Sequence, residues 1–391
     1  LTKAGSGVLT LANANTYSGL TSINAGTLKI TNATGLGSTS GGTTINSSGV
    51  LDLYNVAVGA EAVTLAGGTL KDVTSSLAGN ITLTANSTIS ATNADDTLTL
   101  SGVISGGFGI TKTGLGLVVL TNANTYTGAT TISAGTLSLT GSGSIADSSV
   151  VTATGTFDIS GTTTGASIKS LAGAGSVTLG AKSLSLTAAN SDSFSGSVSG
   201  AGGSLTLVSG TQTLSGTSTY TGGTTINGGT LIVSGASALG SSAAALTMSA
   251  SGVLDLRAAL TVGSLTMASG NTVINTSGTS SLAVSGAATL GSAITTSGSQ
   301  TYSGAVTLIT NSSLNTTASS ISFGSTLDGA YTLSTSNGSG AVTLGSVGAT
   351  TPLTGVSLAG TGANTLNGDL VVAGDVDLRG TSRSSTFSAD R

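Results

Sequence analysis

The chain of 391 residues contains no Cys, no His and no Trp, and its one Pro is at position 352. Without Cys it forms no disulfide, and without His or Cys it builds no Ser-His-Asp triad, Cys-His pair or ordinary zinc site. Only 6% of its residues are charged and 3% are aromatic. Charge this low argues against a disordered tail, which is kept open by high net charge and low hydrophobicity.

A basic surface is also missing. Ten Lys and Arg residues stand against 14 Asp and Glu residues, which gives a net charge of −4. Nucleic-acid binding needs a basic footprint, and a membrane span needs roughly 18 or more consecutive apolar residues. Neither occurs in the sequence, so we predict no nucleic-acid partner and no direct membrane insertion by this segment.

Short alternating segments fill the chain instead. Leu28 and Ile30 flank Lys29, Leu51 and Leu53 flank Asp52, and turn residues, including many of the 61 Gly, separate such segments. Spacing of two is typical of strands with one buried face, and it places Lys29 and Asp52 in solvent. Three strands with their turns take about 20 residues, the length of one β-helical coil. We therefore predict an all-β, parallel β-helix of roughly 19 coils, right-handed because the strict hexapeptide repeat of the left-handed form is missing.

One motif recurs along the chain. Asn-Thr-Tyr-Ser-Gly at 15–19 returns at 124–128, at 218–222 and, weakly, at 300–304, and in the first three copies a Gly-Thr-Leu follows at one fixed distance. The repeated positions are Tyr17, Tyr126 and Tyr220 with Leu28, Leu137 and Leu231. Each Tyr either packs over its own corner, which we favour, or contributes to an exposed adhesive ladder. We predict one continuous β-helix over 1–391, with clear repeats at 1–53, 101–159 and 195–256 and degenerate repeats at 257–391.

The order of these blocks resembles a known family. Leu-Thr-Lys at 1–3, Leu-Thr-Leu at 9–11, the Tyr motif and Ala-Gly-Thr-Leu at 25–28 resemble the passenger-associated repeat of bacterial autotransporters. A second copy begins at Ile110-Thr111-Lys112, and a third, near 204–231, lacks the Lys. The resemblance implies a right-handed β-helical passenger outside a Gram-negative cell. It implies a repeat tied to folding and transport, without catalytic residues.

Acidic residues offer little chemistry. Asp52, Asp158 and Asp255 occupy matching positions about five coils apart, too far for the grouped carboxylates of a polysaccharide-cleaving β-helix. We therefore predict that the chain is not an enzyme and needs no cofactor. Three further acids, Asp369, Asp375 and Asp377, form a weak calcium candidate, with a solvated face as the alternative. An ice-binding face would need Thr-x-Thr in register on successive coils, and Thr looks too scattered for that.

Two functions fit these features. The first is an extracellular adhesin or display stalk on the bacterial cell surface. Its partners would be a host or neighbouring-cell surface, or matrix glycans. The alternative is a self-assembling subunit of an extracellular fibre or sheath, because uncapped coil ends invite copies to stack end to end. We also expect a longer gene product, with any targeting segment upstream, because residues 1–3 already lie inside a repeat.

Overall fold

A computed structural model describes residues 1–249 and 251–378. Residues 250 and 379–391, the latter the end of the predicted degenerate repeats, lie outside the described residues. The chain divides into unit one, residues 1–188 with 195–200, and unit two, residues 189–194 with those from 201 onward. Each unit is a parallel β-solenoid, with about 19 turns among them and no helix in the described residues. The predicted fold class is confirmed, whereas the right-handed winding and a single continuous β-helix over 1–391 stay predictions.

Unit one is built from short strands bounded by Gly, Ser and Asn turns. In chain order its strands are β1 (Thr2–Lys3), β2 (Val8–Leu11), β3 (Thr21–Ile30), β4 (Thr43–Tyr54), β5 (Ala57–Val58), β6 (Val63–Ala66), β7 (Thr69–Val73), β8 (Ser75–Leu77), β9 (Ile81–Ala85), β10 (Ser87–Ala91), β11 (Thr97–Leu100), β12 (Ile104–Gly106), β13 (Ile110–Thr113), β14 (Leu117–Leu120), β15 (Thr130–Ile132), β16 (Thr136–Gly141), β17 (Val151–Ala153), β18 (Thr156–Thr162), β19 (Ala166–Ile168), β20 (Leu171–Gly173), β21 (Ser176–Thr178), β22 (Ser183–Leu186) and, after β23 of unit two, β24 (Ser197–Ser199).

Most of these strands stack into three parallel faces. Face one holds β1, the first halves of β3 and β4, then β6, β9 and β12. Face two holds β2, the second halves of β3 and β4, then β7, β10, β13, β15, β17 and β20. Face three holds β5, β8, β11, β14, β16, β18, β21 and β24. Each strand therefore pairs with the strand about one coil, roughly 20 residues, further along the chain.

The core consists of columns of single apolar side chains. On face three one inward column contains Leu98, Val118, Leu137, Phe157, Val177 and Val198, all fully buried. Each side chain contacts its counterparts on the coils before and after it, so one aliphatic residue per strand suffices to exclude water. Burying such a side chain contributes about 1.5–3 kcal/mol. Stacking therefore makes a core from a sequence with few aromatic residues.

Unit two repeats this plan. Its strands are β23 (Ala189–Phe194), β25 (Ser204–Leu207), β26 (Gly210–Leu214), β27 (Thr224–Ile226), β28 (Thr230–Val233), β29 (Ala245–Met248), β30 (Val253–Leu256), β31 (Ala259–Val262), β32 (Ser264–Met267), β33 (Thr272–Ile274), β34 (Ser281–Val284), β35 (Ala288–Leu290), β36 (Ala293–Thr295), β37 (Gln300–Tyr302), β38 (Val306–Leu308), β39 (Ser312–Asn315), β40 (Ile321–Phe323), β41 (Leu327–Asp328), β42 (Thr332–Ser336), β43 (Val342–Leu344), β44 (Leu353–Leu358), β45 (Asn364–Leu366) and β46 (Val372–Asp377).

These strands also form three parallel faces. Face four holds β25, β27, β29, β32, β35, β38 and β41. Face five holds β23, β26, β28, β30, β33, β36, β39, β42, β44 and β46. Face six holds β31, β34, β37, β40, β43 and β45. The sequence of this unit thus has the same physical solution as unit one, despite its weaker repeats.

Candidate functional site, the repeated corner

The second copy of the Tyr motif, at 124–128, forms a closed corner of unit one. Tyr126 is 1% exposed, and its hydroxyl shares a hydrogen bond of 2.6 Å with the hydroxyl of Thr130. Thr130 in turn lies 2.9 Å from the Ser148 hydroxyl on the next coil. Burial raises the pKa of the Tyr126 phenol above its ordinary value of 10, so the hydroxyl stays protonated. We call this hydrogen-bonded pair of Tyr and the Thr four residues later the tyrosine clasp.

The first and third copies of the motif build the same clasp. The Tyr220 hydroxyl lies 2.6 Å from that of Thr224, and the Tyr17 hydroxyl lies 2.9 Å from that of Thr21. Tyr220 is fully buried, whereas Tyr17 is half-buried. The motif therefore carries a Thr at a fixed distance because the phenol needs a partner once it leaves water.

The weak copy departs from this arrangement. Tyr302 is fully buried, but position 306 is Val, and the phenol donates instead to Oε1 of Gln300 at 3.2 Å. Its ring stacks on Phe323 of the next strand of face six, with the ring centroids 5.2 Å apart. The packing survives here while the clasp does not.

A buried lysine precedes the clasp in unit one. Lys112 has no exposed surface, and its Nζ donates to the carbonyl oxygens of Thr113, Gly114 and Ala134 at 2.8–3.0 Å. An ammonium group has three N–H donors, so all three are satisfied. Burial lowers the pKa of Lys112 to about 8. We call this arrangement the lysine tripod.

The first repeat has the same tripod. The Nζ of Lys3 donates to the carbonyl oxygens of Ala4, Gly5 and Ala25 at 2.7–3.0 Å. In both tripods the third acceptor lies 22 residues ahead, on the next coil. The residue after that acceptor is a glycine with positive φ, Gly26 or Gly135, and a Cβ atom at either would overlap carbonyl oxygens of the preceding coil. The tripod thus ties one coil to the next at a place where the backbones meet.

Sequence reasoning missed the tripod, although its signal was present. Lys3 and Lys112 both lie 14 residues before the Tyr of their repeat. Face pairing identifies the position in all three repeats: Lys3 faces Ile23, Lys112 faces Ile132 and Leu207 faces Ile226. Charged residues usually face solvent, but period two places this lysine in the core.

The repeated leucines are all fully buried, and the two in unit one, Leu28 and Leu137, lie on different faces. Leu28 lies on face two, in one column with Leu51, Leu70, Ile89 and Lys112. Leu137 lies on face three. Leu231, in unit two, lies on face five. Within unit one the second repeat is therefore turned by one face relative to the first, and Tyr17 and Tyr126 occupy different corners rather than one ladder.

Asp52 was predicted to face solvent, which is wrong, and Asp255 in the matching segment is buried as well. Asp52 points away from the core column but is only 6% exposed, and Nζ of Lys71 lies 3.5 Å from its Oδ2. Lys29, on the other flanking strand, lies 3.4 Å from the centre of the Tyr54 ring. Neighbouring side chains on the same outer surface therefore cover the carboxylate.

Asp255 is covered in another way. It is 2% exposed, and it accepts hydrogen bonds from Arg257 at 2.6 and 2.8 Å and from the Thr276 hydroxyl at 2.6 Å. Burial opposes ionisation, but these donors outweigh it and the pKa of Asp255 is lowered. Asp158 is half-buried and accepts from Ser138 and the Ser160 amide. All three acids have structural partners.

The outer surface of face two carries an array of hydroxyl groups in register. Thr and Ser alternate with buried residues on four successive strands, at Thr88 and Ser90, Thr111 and Thr113, Thr131 and Ser133, and Thr152 and Thr154. None of these hydroxyls has a hydrogen-bond partner among the described residues. Unit two has a single column of six on face four: Thr206, Thr225, Thr247, Thr266, Thr289 and Thr307. Thr-x-Thr occurs on the second and fourth of the face-two strands and Thr-x-Ser on the other two, so the array is one of hydroxyl groups and strict Thr-x-Thr does not recur on successive coils within it.

The calcium candidate stays a prediction. Asp375 and Asp377 lie on β46, opposite Gly355 and Ser357, and the Asp369 carbonyl accepts the Val347 amide. Among residues 1–249 and 251–378, no three Asp or Glu side chains come close enough together to hold a metal ion.

Two open grooves have linings without acid or base groups. One, of about 300 Å³ in unit one, is lined mainly by Gly, Ser, Ala and Thr of the segments 141–146, 164–167 and 183–185. The other, of about 380 Å³ in unit two, is lined by similar residues with Phe323 and Asn367. Their surfaces offer hydroxyl and backbone groups for hydrogen bonding, but no nucleophile–base pair.

The repeated corners coincide with a known repeat. A family model described as the passenger-associated-transport-repeat matches residues 1–30, 110–139 and 209–233. The first two matches contain both the tripod and the clasp, and the third contains the clasp alone. The matched segments are the repeats in which the sequence resembles the passenger-associated repeat of autotransporters.

One curated relative narrows the comparison. Over 135 residues the chain is 37% identical to the adhesin BmaC autotransporter of Brucella suis biovar 1 (strain 1330). The matched stretch covers 32% of this chain and 4% of the relative. The chain thus spans only a small part of that protein. No solved structure matches the chain. Both likenesses support the predicted extracellular location at the bacterial cell surface.

The described residues were also compared with the requirements of a membrane-spanning helix. No helix among residues 1–249 and 251–378 is long and apolar enough to cross a bilayer.

Proposed function

We propose that the chain is a non-enzymatic part of an extracellular adhesin or display stalk of a Gram-negative bacterium. The observation that carries this proposal is the use of the repeated motif. Tyr126, Thr130 and Lys112, its most chemically capable side chains, are consumed in closing and tying coils. The repeat therefore builds length and rigidity, which a stalk requires. The relative named an adhesin supports the same reading.

We propose that the chain is not an enzyme because its repeated acids are already paired and its grooves lack acid and base groups. The repeated acids Asp52 and Asp255 are engaged by Lys71 and Arg257, and both grooves have linings free of acids and bases. Hydrolysis of a polysaccharide would need two carboxyl groups several ångströms apart across the bound sugar. Neither groove provides such a pair.

The partner is proposed to be uncharged and polar, such as a matrix glycan or a component of a host or neighbouring-cell surface. The hydroxyl arrays of faces two and four supply rows of donors and acceptors without charge, and their rigid strands need no ordering on contact. A row of weak contacts becomes effective when many are made at once. Adhesion through many copies on one cell would exploit this.

The test uses the whole 391-residue chain coupled to beads. Coated beads are expected to adhere to host cells or to immobilised glycans well above beads carrying the same chain unfolded in urea and then quenched. Equal adhesion by both preparations would refute the adhesin proposal.

Negative-stain electron microscopy of the same sample tests the alternative. Discrete particles at rising concentration are expected for a stalk. Long uniform filaments would favour the fibre or sheath subunit, whose copies would associate end to end.

A further inference from the structure

Unit one contains four buried carboxyl groups within about two coils. Asp52, Glu61, Asp72 and Asp96 are each no more than 6% exposed. Fourteen acids occur in the whole chain, so this segment holds a large share of them. Buried acids are uncommon unless each has a partner, because an ionised carboxylate loses its hydration.

Asp72 is the most isolated of the four. It lies on β7 two residues after Leu70, so that its side chain points into the core, between Leu53 on β4 and Ala91 on β10. It has no exposed surface, and neither carboxyl oxygen has a hydrogen-bond partner of normal geometry among the described residues. The hydroxyl and amide of Ser75 lie close enough to Asp72 to lower its pKa, but the hydroxyl also accepts the Val56 amide at 3.1 Å and points to the Val73 carbonyl.

The nearest charged groups also disfavour an ionised Asp72. Asp52 on β4 and Asp96 in the turn after β10 both repel a negative charge at Asp72. Lys71, the neighbour of Asp72 on β7, points outward and pairs with Asp52 at 3.5 Å. The facing strands β8, β10 and β11 carry no charged residue, and exposed Asp95 adds only negative charge.

The other two acids differ in how far they are satisfied. Asp96 accepts the amide and side-chain N–H groups of Asn93 at 2.7 and 3.0 Å. Glu61 accepts the Thr43 hydroxyl at 2.7 Å through one oxygen, while its second oxygen has no partner among the described residues. Asp72 is therefore the group with most to gain from a proton, and Glu61 is the next.

We propose that this segment makes unit one acid-responsive: uptake of a proton by Asp72 removes a buried and poorly partnered charge from the core and tightens the coils around β7. The protonated acid is neutral, which suits its apolar neighbours Leu53 and Ala91. The free energy of unfolding of unit one would then increase as the surroundings become mildly acidic. This inference concerns stability and does not depend on the adhesive role.

The direction of the effect follows from proton linkage. Burial raises the pKa of Asp72 from 3.8 to about 6; the Ser75 hydroxyl and amide oppose this rise, and the charges of Asp96 and Asp52 add to it by smaller amounts. Burial also raises the pKa of Glu61. Between pH 4 and 6 the folded chain holds more protons than the unfolded chain, so stability increases as the pH falls through this range. Above about pH 6 both states are ionised, and the stabilisation is absent.

Hydrogen–deuterium exchange of the full chain at pH 7.5 and 5.0, corrected for intrinsic exchange rates, tests the proposal. A shift of two pKa units bounds the effect at about 100-fold. We expect the opening constant of amides in β7 and β10 to fall by about tenfold or more at pH 5.0. Amides of face six in unit two serve as an internal reference and should change far less. Equal or greater opening of β7 and β10 at pH 5.0 would overturn the proposal.

Two variants locate the effect. Asp72→Asn, which imitates the neutral acid, should lose the pH dependence and show low opening already at pH 7.5. Asp158→Asn, on a half-buried and hydrogen-bonded acid of the same unit, should keep it. Full pH dependence in Asp72→Asn would assign the effect elsewhere and refute the role of Asp72. If that variant does not fold, the pH series of the unmodified chain decides, because the opening constant must begin to fall near pH 6 and continue to fall towards pH 4.

Discussion

The second and third repeats form the same tyrosine clasp but differ in the inward residue that precedes it. Both close the clasp at 2.6 Å, between Tyr126 and Thr130 and between Tyr220 and Thr224. The inward position before the clasp is a lysine tripod in one repeat and Leu207 in the other. The turn after Lys112 is one residue longer than the turn after Leu207. The comparison teaches that the clasp closes the corner, while the tripod serves the longer turn.

Exchanging the inward residues of the two repeats should have the largest effect on the free energy of unfolding. Leu207→Lys places an ammonium group in a core position beside the shorter turn, and we expect a loss of about 3–5 kcal/mol in the free energy of unfolding. Urea unfolding followed by circular dichroism measures it. The reverse change, Lys112→Leu, keeps the apolar stem but leaves carbonyl oxygens without their donor, for an expected loss of about 1–3 kcal/mol. Equal losses from both exchanges would contradict the link between tripod and turn length.

The pH dependence of the tripod sharpens the contrast. The pKa of Lys112 is about 8 in the fold and near 10.5 when unfolded, so the unfolded chain holds more protons between these values. Stability contributed by this site should therefore rise from pH 8 to 10, by on the order of 2 kcal/mol. Urea unfolding of the unmodified chain and of Lys112→Leu over this range checks it. The difference between the two removes the titration of Tyr and the other Lys. Parallel curves would refute it.

The clasps themselves should respond unequally. In Tyr126→Phe, Thr130 keeps the Ser148 hydroxyl as a partner, so we expect a loss of about 0.5–1 kcal/mol. In Tyr220→Phe, Thr224 loses the one side-chain partner it has among the described residues, so about 1–2 kcal/mol is expected. Local opening measured by hydrogen exchange near each corner compares them. A larger effect at Tyr126 would show that Ser148 does not support the clasp.

Much of this fold follows from spacing alone. Alternation at Leu28 and Ile30, turns rich in Gly, and about 20 residues per coil predict a parallel β-helix, and the structure confirms it. The rotation of the second repeat could not be predicted, because it depends on how many residues each turn takes. For the same reason Thr88, Thr111 and Thr131 align on the outer surface although they are unevenly spaced in the sequence.

The buried charges were predictable and were missed. Asp72 lies two residues from Leu70, and Lys112 two residues from Ile110, so period two places both inward. Charged residues usually face solvent, which makes such inward positions easy to overlook. What the pattern could not show is whether partners exist, since the carbonyl oxygens around Lys112 are set by the turn and the next coil. The sequence pattern therefore predicts which charged side chains point inward, whereas their hydrogen-bond partners can be read only from the folded structure.

The two motifs also differ in when they can form. Tyr126 and Thr130 are four residues apart, so their bond closes as soon as that short stretch is shaped. Lys112 reaches Ala134, 22 residues ahead, and must wait for the following turn of chain. In a chain that emerges from one end, the tyrosine clasp of a coil can therefore form as soon as that coil is shaped. The lysine tripod can form only after the neighbouring coil has also folded.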